Sequence, residues 1–311
     1  MVIKILGCIL LFVIVFLGSA VITIVRTASA PHKLLNTQWD DTVGQKIENL
    51  PYSNEYGNKY DLYIPANLNT EQEQALILFI HGGGFMSGEK KSGDIWCKYF
   101  AAKGYITATM EYTVHNKEHT SNIHIMNHEV DACVTEIYNQ CAKMGYQVTQ
   151  MATTGESAGG CLAMLYAYSQ PNTAAIPVKF VFQLTGPAHF NPVSWGHTEP
   201  ESAAAFLSLM SGETITKEMM TSGSTEECWK AISPACWITE NSVPTLCGYG
   251  SHDKVVNPEI KNALFDAFEK NGVPYDYIEY PKSNHIMCHD LDKSQEYIDT
   301  ALAYCRKYFG F

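Results

Sequence analysis

The chain has 311 residues, 46% of them hydrophobic and 17% charged. That balance supplies one large core and excludes a disordered protein. The formal net charge of −11, with no basic run carrying interleaved aromatics, argues against nucleic acid as a partner.

At the N-terminus, Lys4 precedes an uncharged run from Ile5 to Val25, closed by Arg26. As a helix such a run rises roughly 30 Å, enough to cross a bilayer core. It reads as an uncleaved signal anchor within residues 1–30. A signal peptide cleaved after a small-residue site is the alternative, either Gly18-Ser19-Ala20 or Ala28-Ser29-Ala30, the second hindered by Pro31. The weak flanking charge bias leans toward a catalytic part outside the cytoplasm, or secreted if the signal is cut. Residues 31–45 read as a short polar tether, and 46–311 as one globular domain.

Within that domain, Tyr60 to Pro65 alternates like an early antiparallel strand. Ala75 to Ile80, ALILFI, is a continuous apolar run of the kind buried on both faces of a sheet. Ser92 to Lys103 reads as a helix and Tyr105 to Tyr112 as a strand. Ile123, Met126, Val130, Val134, Ile137 and Cys141 recur at helical spacing over 123–144. Gln150 to Thr154 reads as a short strand, Ser157 to Tyr168 as a helix and Lys179 to Thr185 as a strand. Pro244 to Gly250, a helix from about 258 to 271, a strand at Tyr275 to Pro281 and a helix from about 291 to 308 complete the series. Such alternation predicts an α/β fold: a mostly parallel sheet covered by helices, with chemistry at the strands' carboxyl ends. The stretch from about 187 to 237 is too long for a plain crossover and reads as a small helical cap. Ten cysteines include no C-x-x-C pair, so they are expected to be buried thiols. A disulfide from Cys228 to Cys236 or Cys247 stays open for an exported domain.

The strand at 150–154 runs into Gly155-Glu156-Ser157-Ala158-Gly159, a G-x-S-x-G pattern between a strand and a helix. A sharp strand-to-helix reversal forces the serine into a strained backbone and leaves no room for side chains two residues to either side. That explains glycine at a helix start. A serine hydroxyl needs a base, and the base an orienting acid. Asp253 in GSHDKVV and His285 in SNHIM follow later strands in the order Ser…Asp…His. His252, His289, Asp276 and Asp290 are the lesser alternatives. HGGGF, His81 to Phe85, follows a buried strand and offers side-chain-free amides to a developing oxyanion. Gly83 and Gly84, with the amide of Ala158, are the candidates for that hole.

These motifs resemble the α/β-hydrolase esterase/lipase group, in particular its hormone-sensitive-lipase-like branch and small carboxylesterases and carbohydrate-ester hydrolases with an HGGGF loop. The resemblance spans roughly 46–311 and implies the α/β-hydrolase fold, with Ser157 as nucleophile, His285 as acid/base and Asp253 as its partner. The chain departs from that branch in having Glu156 before the serine, no DPL at the acid motif, and Ile286-Met287 after the histidine. The implied function is a serine carboxylesterase acting on a small-molecule ester through an acyl-enzyme, with no metal or organic cofactor. An amidase or peptidase using the same three residues is the alternative, and a membrane-tethered binding protein on an inactive scaffold a third. Phe85 and Glu156 are the candidate substrate contacts, although Glu156 and Glu111 also suit structural hydrogen bonding. Trp195, Phe206, Leu207, Met210 and Trp229 either line a pocket or pack the cap. His124 and His128, four apart on a helix, lack the glutamate of a zinc motif and read as surface histidines.

Overall fold

The apolar run at 75–80 lies at the middle of an eight-stranded sheet because both its faces find a covering layer. Leu76, Leu78 and Ile80 point into one hydrophobic cluster, while Ala75, Ile77 and Phe79 point into the other. Alternate side chains of a strand face opposite ways, so only a doubly covered strand can be apolar throughout. The protein is described here from a computed structural model covering residues 30–52, 54–169 and 174–310. The apolar run Ile5–Val25, read as an anchor or signal, lies outside the described residues. Among those described, no helix is long and apolar enough to cross a membrane.

In chain order the elements are α1 (Ala30–Leu34), β1 (Gly44–Pro51), β2 (Lys59–Pro65), β3 (Glu73–Ile80), α2 (Asp94–Ala101), β4 (Ile106–Met110), α3 (Ile123–Lys143), β5 (Gln147–Glu156) and α4 (Ala158–Ser169). They continue with β6 (Val178–Leu184), α5 (Pro200–Ser211), α6 (Lys217–Ser222), α7 (Glu226–Ala231), β7 (Thr245–Gly250), α8 (Pro258–Asn271), β8 (Tyr275–Tyr280) and α9 (Leu291–Phe309). The sheet order is β1-β2-β4-β3-β5-β6-β7-β8. β1 and β2 enter antiparallel, and every pairing from β4 through β8 is parallel. This is the mostly parallel, helix-covered α/β architecture expected, with β5 central.

Helices α3, α4 and α8 cover one face, and α2 and α9 the other. α4 is buried along its first ten residues, which explains its uniformly apolar sequence: a helix with no solvent face needs no polar stripe. The segment 187–237 supplies α5, α6 and α7, flanked by 3-10 turns at Pro192–Trp195 and Pro234–Trp237. Its aromatic residues pack on one another. The Trp195 ring stacks on Phe190 at 5.4 Å and leans on Phe206 at 5.4 Å.

One reading needs correction. Residues 31–45, read as a short polar tether, are part of the folded body: α1 packs on α9, Leu35 is fully buried, and β1 begins at Gly44. A single buried leucine contributes about 2 kcal/mol, enough to hold a five-residue helix that could not stand alone. The strand β1 itself is new, as are the first residues of β5. Each of the nine described cysteines carries a free thiol, Cys228, Cys236 and Cys247 included.

Candidate active site

The turn from β5 into α4 places Ser157 at φ +53°, a left-handed conformation that costs of order 1–3 kcal/mol in a non-glycine residue. The surroundings leave no alternative. A Cβ on Gly159 would lie 2.0 Å from the Ile80 carbonyl oxygen, and one on Gly155 would lie 2.5 Å from the carbonyl of Gly159. The Ser157 amide donates to the Leu184 carbonyl at 2.9 Å, tying the turn to the end of β6. Thr185, just beyond, also sits at φ +53° and Met287 at +56°. Both line the same cavity as Ser157, so strained backbone gathers around it.

His285 comes from the loop between β8 and α9. Its Nε2 accepts from the Ser157 hydroxyl at 2.7 Å, and its Nδ1–H donates to Asp253 Oδ2 at 2.8 Å. The carboxylate on one nitrogen sets the tautomer that leaves the other free to accept. Asp253 follows β7, and its side chain is 2% exposed. Its second oxygen accepts from the amides of Val255 and Val256 at 2.8 and 2.9 Å. Three side chains that the sequence scatters over 128 residues thus form one relay. The alternatives are elsewhere: His252 and His289 are exposed, and Asp276 accepts from the Tyr304 hydroxyl. Asp290 clasps the His285 loop by accepting from the Lys282 amide and the Ser283 hydroxyl, each at 2.9 Å.

The loop after β3 approaches from the other side. Gly83 sits at φ +122°, where a Cβ would fall 2.0 Å from the Ser87 carbonyl oxygen. Its own carbonyl accepts from the Met86 and Ser87 amides, which curls the loop and leaves the amides of Gly83 and Gly84 without a backbone acceptor among the described residues. Ala158 is the first residue of α4, where helix geometry leaves amides unpartnered and positive in character. His81 is fully buried, stacks on Tyr112 at 4.1 Å and braces the loop. Burial pushes its imidazole below the ordinary value.

A cavity of about 580 Å³ joins these groups, lined by Gly83, Gly84, Ser157, His285, Glu156 and His32. Val255 and Ile286, both about half exposed, form an apolar part of its wall. The volume suits a small organic molecule. Of the two candidate substrate contacts, Glu156 lines the cavity. Phe85 does not: it is 6% exposed and packs edge-on to Phe190 at 6.0 Å. The φ of +65° at Phe85 turns its ring into the core. The cap residues Trp195, Phe206, Leu207, Met210 and Trp229 also lie outside the lining.

Glu156 holds a pair of donors on one oxygen. His32 Nε2 donates to Oε1 at 3.0 Å and Trp96 Nε1 at 3.2 Å. Burial raises the carboxyl pKa, but the His32 charge and these hydrogen bonds outweigh it, leaving Glu156 below the ordinary carboxylate value. Burial likewise depresses His32, and the Glu156 charge lifts it above its ordinary value. Glu111, by contrast, is raised by burial and accepts from the Lys90 amide. Residue 32 was missed in the sequence, where no motif surrounds it and its partner is 124 positions away. Among the described residues, no group of three or more histidines, cysteines, aspartates and glutamates is placed to hold a metal.

Comparison with known proteins adds a family. The BD-FAE family model matches residues 60–268, a span that holds Ser157 and Asp253 and stops short of His285. A probable isoprenylcysteine α-carbonyl methylesterase of Arabidopsis thaliana is 22% identical over 259 residues. The alignment takes in 78% of this chain and 57% of that protein, so the chain spans little more than half the length of this relative. Among solved structures, a truncated carbohydrate esterase from gut microbiota superposes with a TM-score of 0.68 at 16% identity, covering 88% of this chain and 100% of that one. Esterase 2 of Thermogutta terrifontis gives 0.68 at 18% identity over 86% of this chain and 93% of its own. At such identities the structural likeness speaks for the fold.

Proposed function

The chain belongs to the BD-FAE family of α/β-hydrolase esterases, and from that premise we propose that it is a serine carboxylesterase working through an acyl-enzyme. Ser157 Oγ bonds to the ester carbonyl carbon as its proton passes to His285 Nε2. The carbonyl oxygen becomes an oxyanion and takes hydrogen bonds from the amides of Gly83, Gly84 and Ala158, a class of interaction worth about 3–4 kcal/mol per donor. Collapse breaks the bond to the alcohol oxygen, which leaves with the proton from His285. Water then attacks the acyl carbon, giving a proton to His285, and the second collapse returns that proton to Ser157 and frees the acid. Asp253 holds the imidazole in the tautomer required and steadies its charge.

The observation that carries this reading is the relay of 2.7 and 2.8 Å from Ser157 through His285 to Asp253, opening on a cavity of about 580 Å³. The test is a panel of p-nitrophenyl esters with the wild type and Ser157→Ala, alongside labelling by a fluorophosphonate. The variant should lose about four decades of rate together with the label. Turnover retained in Ser157→Ala would mean another nucleophile. By the same proposal the run Ile5–Val25 anchors the catalytic part outside the cytoplasm. Release of the full chain from membranes by alkaline carbonate alone would count against that.

A further inference from the structure

The cavity wall beside Ser157 contains a side chain from the far N-terminal end of the described chain. His32 belongs to α1, a five-residue helix, yet it lines the cavity together with Glu156, Ser157 and His285. We infer that His32 is a positioning and specificity residue of this site, acting through Glu156; the inference rests on the serine esterase reading above.

Glu156 is one peptide bond from the strained Ser157. The amide side of that turn is fixed by the bond from Ser157 to the Leu184 carbonyl. The same entry to the turn is held a second time through the Glu156 carboxylate, gripped on Oε1 by His32 from α1 and by Trp96 from α2. The His32 ring also stands edge-on to Trp96 at 6.3 Å. Its reach is set by packing, since α1 rests on α9 and Leu35 is fully buried. A charge-assisted bond held by rigid neighbours is stronger and more directional than a solvent-exposed one.

Without the imidazole, Trp96 is the one remaining donor of this pair, and a carboxylate already 26% exposed is released toward the cavity. Both the room and the charge next to the nucleophile then change. Esters whose acyl or alcohol arm runs along that wall are therefore selected by His32, and short arms that never reach it are not.

The test uses the full chain as wild type, His32→Ala, His32→Gln and Ser157→Ala. kcat and KM are measured on p-nitrophenyl esters from acetate to octanoate and on acetates of alcohols of growing bulk. His32→Ala should change the kcat/KM ratio of the longest to the shortest member by about tenfold in at least one series, the scale of a pocket altered by a methylene or two. His32→Gln keeps a donor toward Glu156 and should stay within about threefold of the wild type. If His32→Ala fails to fold by thermal melting, His32→Leu, which fills the space of the ring and removes the donor to Glu156, takes its place with the same expectation. An unchanged selectivity ratio in the folded variant overturns the inference, because a purely structural histidine would lower the melting temperature and leave selectivity alone. Activity surviving in Ser157→Ala overturns the serine reading instead and leaves the selectivity ratio measurable.

Discussion

Asparagine in place of Asp253 separates what the carboxylate does for the fold from what it does for the reaction. One oxygen of Asp253 accepts from the Val255 and Val256 amides, and the other from His285 Nδ1–H. In Asp253→Asn the amide oxygen can keep the two backbone bonds, and the NH2 group then faces His285 with a donor where an acceptor stood. The imidazole must turn over to the other tautomer, which puts a proton on Nε2 and removes the acceptor for Ser157. A wrong-tautomer change of this kind costs about 10⁴ in kcat in serine hydrolases, or about 5.5 kcal/mol in barrier height. The melting temperature should move by less than about 4 °C, since no buried amide is orphaned. Asp253→Ala removes both functions. Two amides lose their acceptor at a combined cost of about 2–4 kcal/mol, which lowers the melting temperature by roughly 5–12 °C in addition to the catalytic loss. Steady-state kinetics on p-nitrophenyl acetate beside a thermal melt reads both quantities. An Asp253→Asn enzyme with more than about a tenth of wild-type kcat would refute the orienting role.

Gly159→Ala places a methyl 2.0 Å from the Ile80 carbonyl oxygen; backbone must shift, and a loss above about 3 kcal/mol is expected in chemical denaturation. Gly83→Ala meets both a φ of +122° and the Ser87 carbonyl, so kcat should drop by about 10²–10³ through misplaced amides, read with a substrate held well above KM. The His32–Glu156 pair makes stability depend on pH from both sides. The raised His32 contributes fully below its unfolded value of 6.5 and is lost as pH climbs through its higher folded value. The depressed Glu156 contributes above 4.5 and is lost as pH falls through its lower folded value. The melting-temperature difference between wild type and His32→Gln should therefore plateau between 4.5 and 6.5 and shrink on either side; a difference independent of pH would show that the pair is not ionic.

The parts of the fold legible in the sequence are those where burial is nearly total. β3, β6 and β7 are apolar because helices cover both faces, and the glycines at 155 and 159 have one steric explanation, which the backbone distances bear out. β1 was not legible. Its residues GQKIENLP lie half exposed at the sheet edge, and a register shift between Ile47 and Leu50, with Asn49 at φ +59°, breaks any alternation. The start of β5 was hidden for a similar reason, being polar where it leaves the core. At the site, Ser157, Asp253 and His285 were readable because each follows a recognisable strand in a known order. Phe85 was read as a substrate contact, and nothing in the sequence signals that its ring packs inward against Phe190. His32 left no local trace at all, since its meaning is a tertiary contact.

The central place of β5 has a kinetic corollary. The strand that leads into Ser157 is flanked by β3 and β6, and the hydrogen-bonded His285 and Asp253 arrive from beyond β8 and β7, closing a contact 128 residues apart. Contacts that distant form late, after shorter-range structure has condensed. During refolding, recovery of turnover should therefore trail the return of helical signal, so that enzymatic competence marks the completed chain and partly folded forms stay chemically silent.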